Sequence, residues 1–120
     1  MANILVVEDD LLMQIAADSI LRREGHVVNI IKDGKAALDH LDEGAPYDLV
    51  ITDILMPGAN GYEILTRVKQ LEKPLPVIIV SSKGDDEAIQ EGMRLGADDY
   101  LTKPIVGSEL LGHVKRLLGQ

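Results

Sequence analysis

Residues 4–31 read ILVVEDDLLMQIAADSILRREGHVVNII, and this stretch decides the fold. It opens on four aliphatic residues, Ile4-Leu5-Val6-Val7, with no polar alternation. Such a run suits a parallel strand covered on both faces. The period then changes to 3.6. Met13, Ala16, Ala17, Ile20 and Leu21 fall on one helical stripe, and Gly25 is placed to end that helix in the left-handed conformation. A second aliphatic run, Val27–Ile31, follows. The stretch therefore predicts a strand–helix–strand unit.

The alternation continues to the end of the chain. Further aliphatic runs are Leu49–Ile51, Val77–Val80 and a weaker Tyr100-Leu101. Between and after them lie helical stripes: Ala37, Leu38 and Leu41, then Ile64, Leu65, Val68 and Leu71. Ala88, Ile89, Gly92 and Met93 make the fourth, opened by Asp85-Asp86-Glu87 and closed near Gly96. Leu110, Leu111, Val114, Leu117 and Leu118 make the fifth, with Lys115-Arg116 suited to its C-terminal dipole. The expected fold is α/β: a (βα)5 doubly wound parallel sheet with right-handed crossovers and strand order 2-1-3-4-5. No linker, repeat or low-complexity segment interrupts it. The last helical pattern reaches the final residues, so one domain over residues 1–120 is expected, without an output domain.

Composition narrows the function classes. The 120 residues are 46% hydrophobic, yet contain no Trp or Phe and only three Tyr. The net charge is −8, which repels phosphate backbones and anionic lipid, so neither a nucleic-acid nor a membrane partner is expected. The absence of Cys removes disulfides and thiolate metal sites and fits a reducing cytoplasm. Met1-Ala2-Asn3 leads straight into the first aliphatic run, with no basic region or cleavage signal. No apolar run is long enough to span a bilayer.

In an open parallel sheet, ligands bind beyond the carboxyl ends of the strands. The residues that follow the runs there are Glu8-Asp9-Asp10, Thr52-Asp53, Ser81-Ser82 and Thr102-Lys103-Pro104. Carboxylates from the first and third strands would crowd together and repel. A hard divalent cation relieves that repulsion, and all-oxygen ligands point to Mg2+, with Mn2+ as the other choice. Asp53, alone at the end of the central strand, is the candidate nucleophile. Asp9 is the candidate metal ligand, with Glu8 assisting through water. The Leu55 backbone carbonyl completes the set if Met56-Pro57-Gly58 turns the chain back over the site. Lys103 adds a positive charge and Ser81 a hydroxyl. A metal, an ammonium and a hydroxyl around one carboxylate suit a transferring phosphoryl group.

Glu8-Asp9, Asp53, Ser81 and Lys103-Pro104, in this order and spacing, closely resemble the response-regulator receiver family of two-component signalling. Supporting matches are Ile4-Leu5-Val6-Val7-Glu8-Asp9, Met56-Pro57, Gly61-Tyr62-Glu63 and Gly96-Ala97-Asp98-Asp99-Tyr100. The resemblance covers the whole chain and implies a flavodoxin-like fold of the single-domain type. It implies that a histidine kinase or histidine phosphotransfer protein presents phosphohistidine to Asp53, with Mg2+ on Asp9 and Asp53. Lys103 would pair with the phosphoryl oxygens and Ser81 would move to bond one of them. Tyr100 would then turn inward, changing how an unknown downstream protein binds the face of the fourth helix, fifth strand and fifth helix. The Lys103–Pro104 bond is expected to be cis. The chain would be cytoplasmic, monomeric when unphosphorylated, and no enzyme beyond its own phosphorylation and dephosphorylation. It departs from the family pattern at Asn60, where Asp is common, at Ile105, where an aromatic is common, and at Leu55 and Lys83, which line the site entrance.

Blander roles are assigned elsewhere. Asp10 reads as a helix cap and Ser82 as structural, while His26, His40, His113, Lys115 and Arg116 read as surface groups. The alternative function is a Mg2+-dependent phosphatase with an aspartyl-phosphate intermediate. Such enzymes place a second Asp two residues after the nucleophile, where this chain has Leu55. A flavin carrier is disfavoured because Glu8-Asp9-Asp10 would repel its phosphate and no Trp or Phe is present to sandwich a ring.

Overall fold

Each aliphatic run falls in a strand, and the periodic stripes supply the inner faces of the helices, except that Met93 of the fourth stripe is exposed and Leu71 of the third lies beyond its helix. The structure is a computed structural model that describes residues 2–44, 46–56, 58–82 and 85–120. In chain order the elements are β1 (Asn3–Val7), α1 (Leu11–Arg23), β2 (Val27–Ile31), α2 (Gly34–Asp42) and β3 (Leu49–Asp53). They continue with α3 (Gly61–Lys69), β4 (Val77–Ser81), α4 (Asp86–Arg94), β5 (Asp99–Thr102) and α5 (Gly107–Leu118). The sheet order is β2-β1-β3-β4-β5, and every pairing is parallel.

Consecutive strand residues point to opposite sides, and here both sides are apolar. Ile4, Val6, Leu49, Ile51, Ile78 and Val80 pack with Met13, Ala17 and Leu21 of α1 and with Leu110 and Val114 of α5. Leu5, Val7, Val50, Val77 and Ile79 pack on the other side with Ala37 and Leu41 of α2 and Ile64, Leu65 and Val68 of α3. Each fully buried aliphatic side chain contributes about 1.5–3 kcal/mol by leaving water.

Three strands run beyond the apolar stretches that announced them. β3 takes in Thr52 and Asp53, β4 takes in Ser81, and β5 covers Asp99–Thr102. The parallel ladder extends them, pairing Asp53 with Val80 and Ser81 with Thr102. Polar residues are thereby carried in sheet geometry to the edge of the cleft. Asp10, Asp33 and Asn60 cap α1, α2 and α3 by accepting the N–H groups of Leu12, Ala36 and Glu63. Asn60 thus supplies the same capping oxygen that an Asp would. Gly25 follows α1 at φ 84°, the left-handed position expected of it.

The start of α2 presses on the loop after β3. A Cβ on Gly34 would lie 1.8 Å from the Ala59 carbonyl oxygen, and one on Gly61 would lie 2.2 Å from the Asp53 carbonyl oxygen.

The histidines are not free surface groups. His26 is only 6% exposed, and its Nδ1 accepts the Ala2 N–H at 3.2 Å. The sequence treats it as a surface residue because its partner, Ala2, lies just before β1 and far from it along the chain. His40 Nε2 sits 2.5 Å from the Tyr47 hydroxyl, and His113 lies against the Asp99 carboxylate, which Arg116 also reaches. Burial pulls the His26 pKa below its ordinary 6.5. A depressed histidine favours the folded state above its unfolded pKa, and that contribution is lost as pH falls through the folded value. The stability difference between the wild type and His26→Leu, followed by urea unfolding, is therefore expected to shift against the wild type as pH drops below 6.5. A difference independent of pH would contradict this role.

Candidate functional site

The carboxyl ends of β1, β3, β4 and β5 bring four kinds of side chain together. Asp53 closes β3, and its side chain is buried. Its Oδ1 accepts the Ile54 N–H at 2.7 Å and its Oδ2 accepts the Lys103 ammonium at 2.8 Å. Beneath it, the buried Thr52 hydroxyl donates to the Asp53 carbonyl at 2.9 Å. Glu8 follows β1 and is only 2% exposed. Its Oε2 accepts the Asp10 N–H at 3.0 Å, and Lys103 Nζ lies 3.2 Å from its Oε1. That Oε1 nevertheless has no hydrogen-bond partner among the described residues. Asp9 is exposed, and oxygens of Glu8, Asp9 and Asp53 all lie within 4.8 Å of one another.

The electrostatics follow from this crowding. Burial pushes the Glu8 carboxyl up to about 7, against the lowering effect of the Asp10 N–H; the Asp53 charge adds to the rise and Lys103 opposes it. Burial alone would lower the Lys103 ammonium, but the hydrogen bond and charge of Asp53, and then of Glu8, outweigh it and hold the group above its ordinary value. Glu8 and Asp53 share one ammonium, Asp9 adds a third carboxylate beside them, and the buried Glu8 Oε1 is left with an ion pair to Lys103 but no hydrogen bond. An oxygen-seeking divalent cation fits this donor set. Glu8, Asp9 and Asp53 are the side chains placed to hold it.

Ser81 is buried at the end of β4, with its hydroxyl 3.4 Å from Asp85 Oδ2 and 3.5 Å from the Ser82 carbonyl. Both contacts are long, so the hydroxyl is loosely held. The Lys103 N–H donates to the Ser81 carbonyl at 2.8 Å, and the Lys103–Pro104 peptide bond is cis. Leu55 exposes 72% of its surface beside the cleft. Pro57 and Lys83, also singled out in the sequence, lie outside the described residues. Tyr100 is 43% exposed on β5 and borders a pocket of about 450 Å³ with Ile89, Met93 and Thr102. Arg116, read from the sequence as a solvated helix end, reaches back to Asp99.

Two contacts escaped the sequence reading. The Gln14 side chain donates to the Glu8 carbonyl at 2.7 Å, and Asp85 faces Ser81. Gln14 sits one position from the α1 stripe, where nothing in the pattern marks it as facing the turn after β1.

Residues 4–115 match the model of the family described as the response regulator receiver domain. The chain belongs to that family. This receiver domain is 39% identical over 116 residues to the response regulator RppA of Synechocystis, covering 96% of the chain and 50% of that protein. It spans about half the length of the curated relatives it matches. Among solved structures it is similar to a putative response regulator from Chloroflexus aurantiacus, with a TM-score of 0.91, 34% identity and coverage of 99% and 98% of the two chains. It also resembles the receiver domain of a Pseudomonas aeruginosa sensor histidine kinase, described with a magnesium ion coordinated in the active-site cleft. That likeness has a TM-score of 0.88, 27% identity and coverage of 99% and 98%. Receiver domains of response regulators are phosphoacceptor signalling domains of two-component systems. The phosphatase alternative finds no support in these matches. Among the described residues, no helix of this receiver is long and apolar enough to cross a membrane.

Proposed function

We propose that this receiver takes a phosphoryl group onto Asp53 from the phosphohistidine of a histidine kinase or phosphotransfer protein, in the presence of Mg2+ or Mn2+. The observation that carries the proposal is the buried Glu8 Oε1 without a hydrogen bond, in a cluster of three carboxylates of which two, Glu8 and Asp53, already share Lys103. Glu8, Asp9, Asp53 and the Leu55 carbonyl would hold the cation, which when bound would offset charge between the carboxylates and the phosphoryl oxygens.

An Asp53 carboxylate oxygen forms the new bond to phosphorus while the bond from the donor imidazole nitrogen to phosphorus breaks. The imidazole leaves with that electron pair and can take up a proton. Lys103, already 2.8 Å from Asp53, is placed to pair with a phosphoryl oxygen. Ser81, loosely held at 3.4 and 3.5 Å, can exchange its contacts for a phosphoryl oxygen. Tyr100 then turns in from its exposed position and alters the α4–β5–α5 face read by a downstream protein.

Leu11, Leu12 and Ile15 are exposed on α1, close behind Asp9 and Asp10, and offer a phosphodonor an apolar contact. The proposal treats residues 1–120 as one receiver unit, monomeric before phosphorylation and placed in the cytoplasm with its kinase.

The test is incubation with acetyl phosphate and Mg2+, read by mass spectrometry. One phosphoryl group per chain is expected, and chelation of the metal is expected to reduce uptake to background. Equal labelling in excess chelator would sink the metal reading. Sustained hydrolysis of a generic phosphomonoester would favour the phosphatase alternative.

A further inference from the structure

We propose that Gln14 is a positioning residue for the metal ligands, holding the turn that carries Glu8 and Asp9. This rests on the metal site proposed above.

The turn leaves the sheet at Val7, so beyond it the ladder no longer fixes both sides of the backbone. The Glu8 N–H still donates to the Ile31 carbonyl at 3.0 Å. Among the described residues the donor to the Glu8 carbonyl is the Gln14 side-chain amide at 2.7 Å. Gln14 is itself fixed, because its backbone N–H donates to the Asp10 carbonyl at 3.0 Å within the first turn of α1. One half-buried residue thus ties both the start and the end of the turn Glu8-Asp9-Asp10 to the helix.

The peptide plane that Gln14 holds is the one between Glu8 and Asp9. Asp9 is exposed, and its carboxylate takes no hydrogen bond among the described residues. Its position therefore depends on that plane. The chemistry of the side chain matters as well. A neutral amide fixes the carbonyl without adding a charge beside three carboxylates, whereas an ammonium or guanidinium there would pair with them in place of a cation. Groups that orient metal ligands from behind typically change metal affinity by about 10–100-fold when removed.

The test is Gln14→Met, which keeps length and apolar bulk but removes the donor. Mg2+ binding is measured by calorimetry without any phosphodonor, alongside the thermal midpoint and the hydrogen exchange of the Asp10 amide in metal-free protein. Mg2+ affinity is expected to fall about tenfold, with faster Asp10 exchange and a metal-free midpoint close to that of the wild type. Gln14→Leu provides the same comparison should the Met variant fold poorly. Unchanged affinity in a variant of a wild type that binds Mg2+ overturns this inference alone. A wild type that binds no Mg2+ overturns the metal site and this inference together. An affinity loss that tracks a large loss of metal-free stability also overturns it, since packing then explains the effect.

Discussion

Asp53→Asn is expected to take up no phosphoryl group from acetyl phosphate in Mg2+, a loss of at least about a thousandfold in rate, as for removal of a nucleophile elsewhere. The substituted side chain has nearly the same shape, and its oxygen can still accept the Ile54 N–H that Oδ1 accepts at 2.7 Å. The fold should therefore persist while the chemistry stops, because a neutral amide is a poor nucleophile toward phosphorus. Neither neighbouring carboxylate is placed to replace it. Glu8 is buried and bonded to the Asp10 N–H, and Asp9 lies outside the reach of the hydrogen bonds described for Lys103. Intact-mass and peptide mass spectrometry of both proteins settle the matter. A mutant labelled to the wild-type stoichiometry would remove Asp53 from the role.

The second large effect concerns stability and comes from two glycines. Gly34→Ala and Gly61→Ala are each expected to cost at least about 2 kcal/mol. The added methyl would fall 1.8 Å from the Ala59 carbonyl oxygen in one case and 2.2 Å from the Asp53 carbonyl oxygen in the other. These neighbours are backbone atoms, which cannot swing aside as the end of a flexible side chain can. Gly61 N–H also donates to the Ile54 carbonyl at 2.8 Å, so relief at this point would disturb the loop next to Asp53. For a domain with a total of about 5–15 kcal/mol, such a loss is severe. Urea unfolding provides the measurement, and a change below about 0.5 kcal/mol in either variant, the range of neutral surface substitutions, would refute the close-packing argument.

The fold was legible because the inner strands are aliphatic on both faces while the helices change period, a contrast that survives without tertiary information. Ile4–Val7 and Val77–Val80 announce themselves in this way. Their polar continuations do not: Thr52, Asp53 and Ser81 are strand residues because neighbouring strands extend the ladder beside them. Asp9, Asp53, Ser81 and Lys103 could be assembled from the strand ends because a parallel sheet gathers its loops on one side. His26 could not be placed, because its burial depends on Ala2, a residue 24 positions away. Gln14 was equally silent. Helical periodicity tells which side of α1 faces the core, but not which flanking side chain meets the turn before the helix. Asn60 illustrates the converse, since a departure from the common residue preserves the cap through the same oxygen.

The two apolar layers carry one more consequence. A one-residue slide of a strand exchanges which side chains face each layer. In a strand such as Ile4–Val7, both layers would accept the exchange with little change in hydrophobic burial. What they would not accept is the displacement of the polar strand ends: sliding β1 would move Glu8 away from the Asp10 N–H and Lys103, and sliding β3 would pull Asp53 from the same ammonium. The charged residues of the cleft thus act as index marks that align one strand with the next.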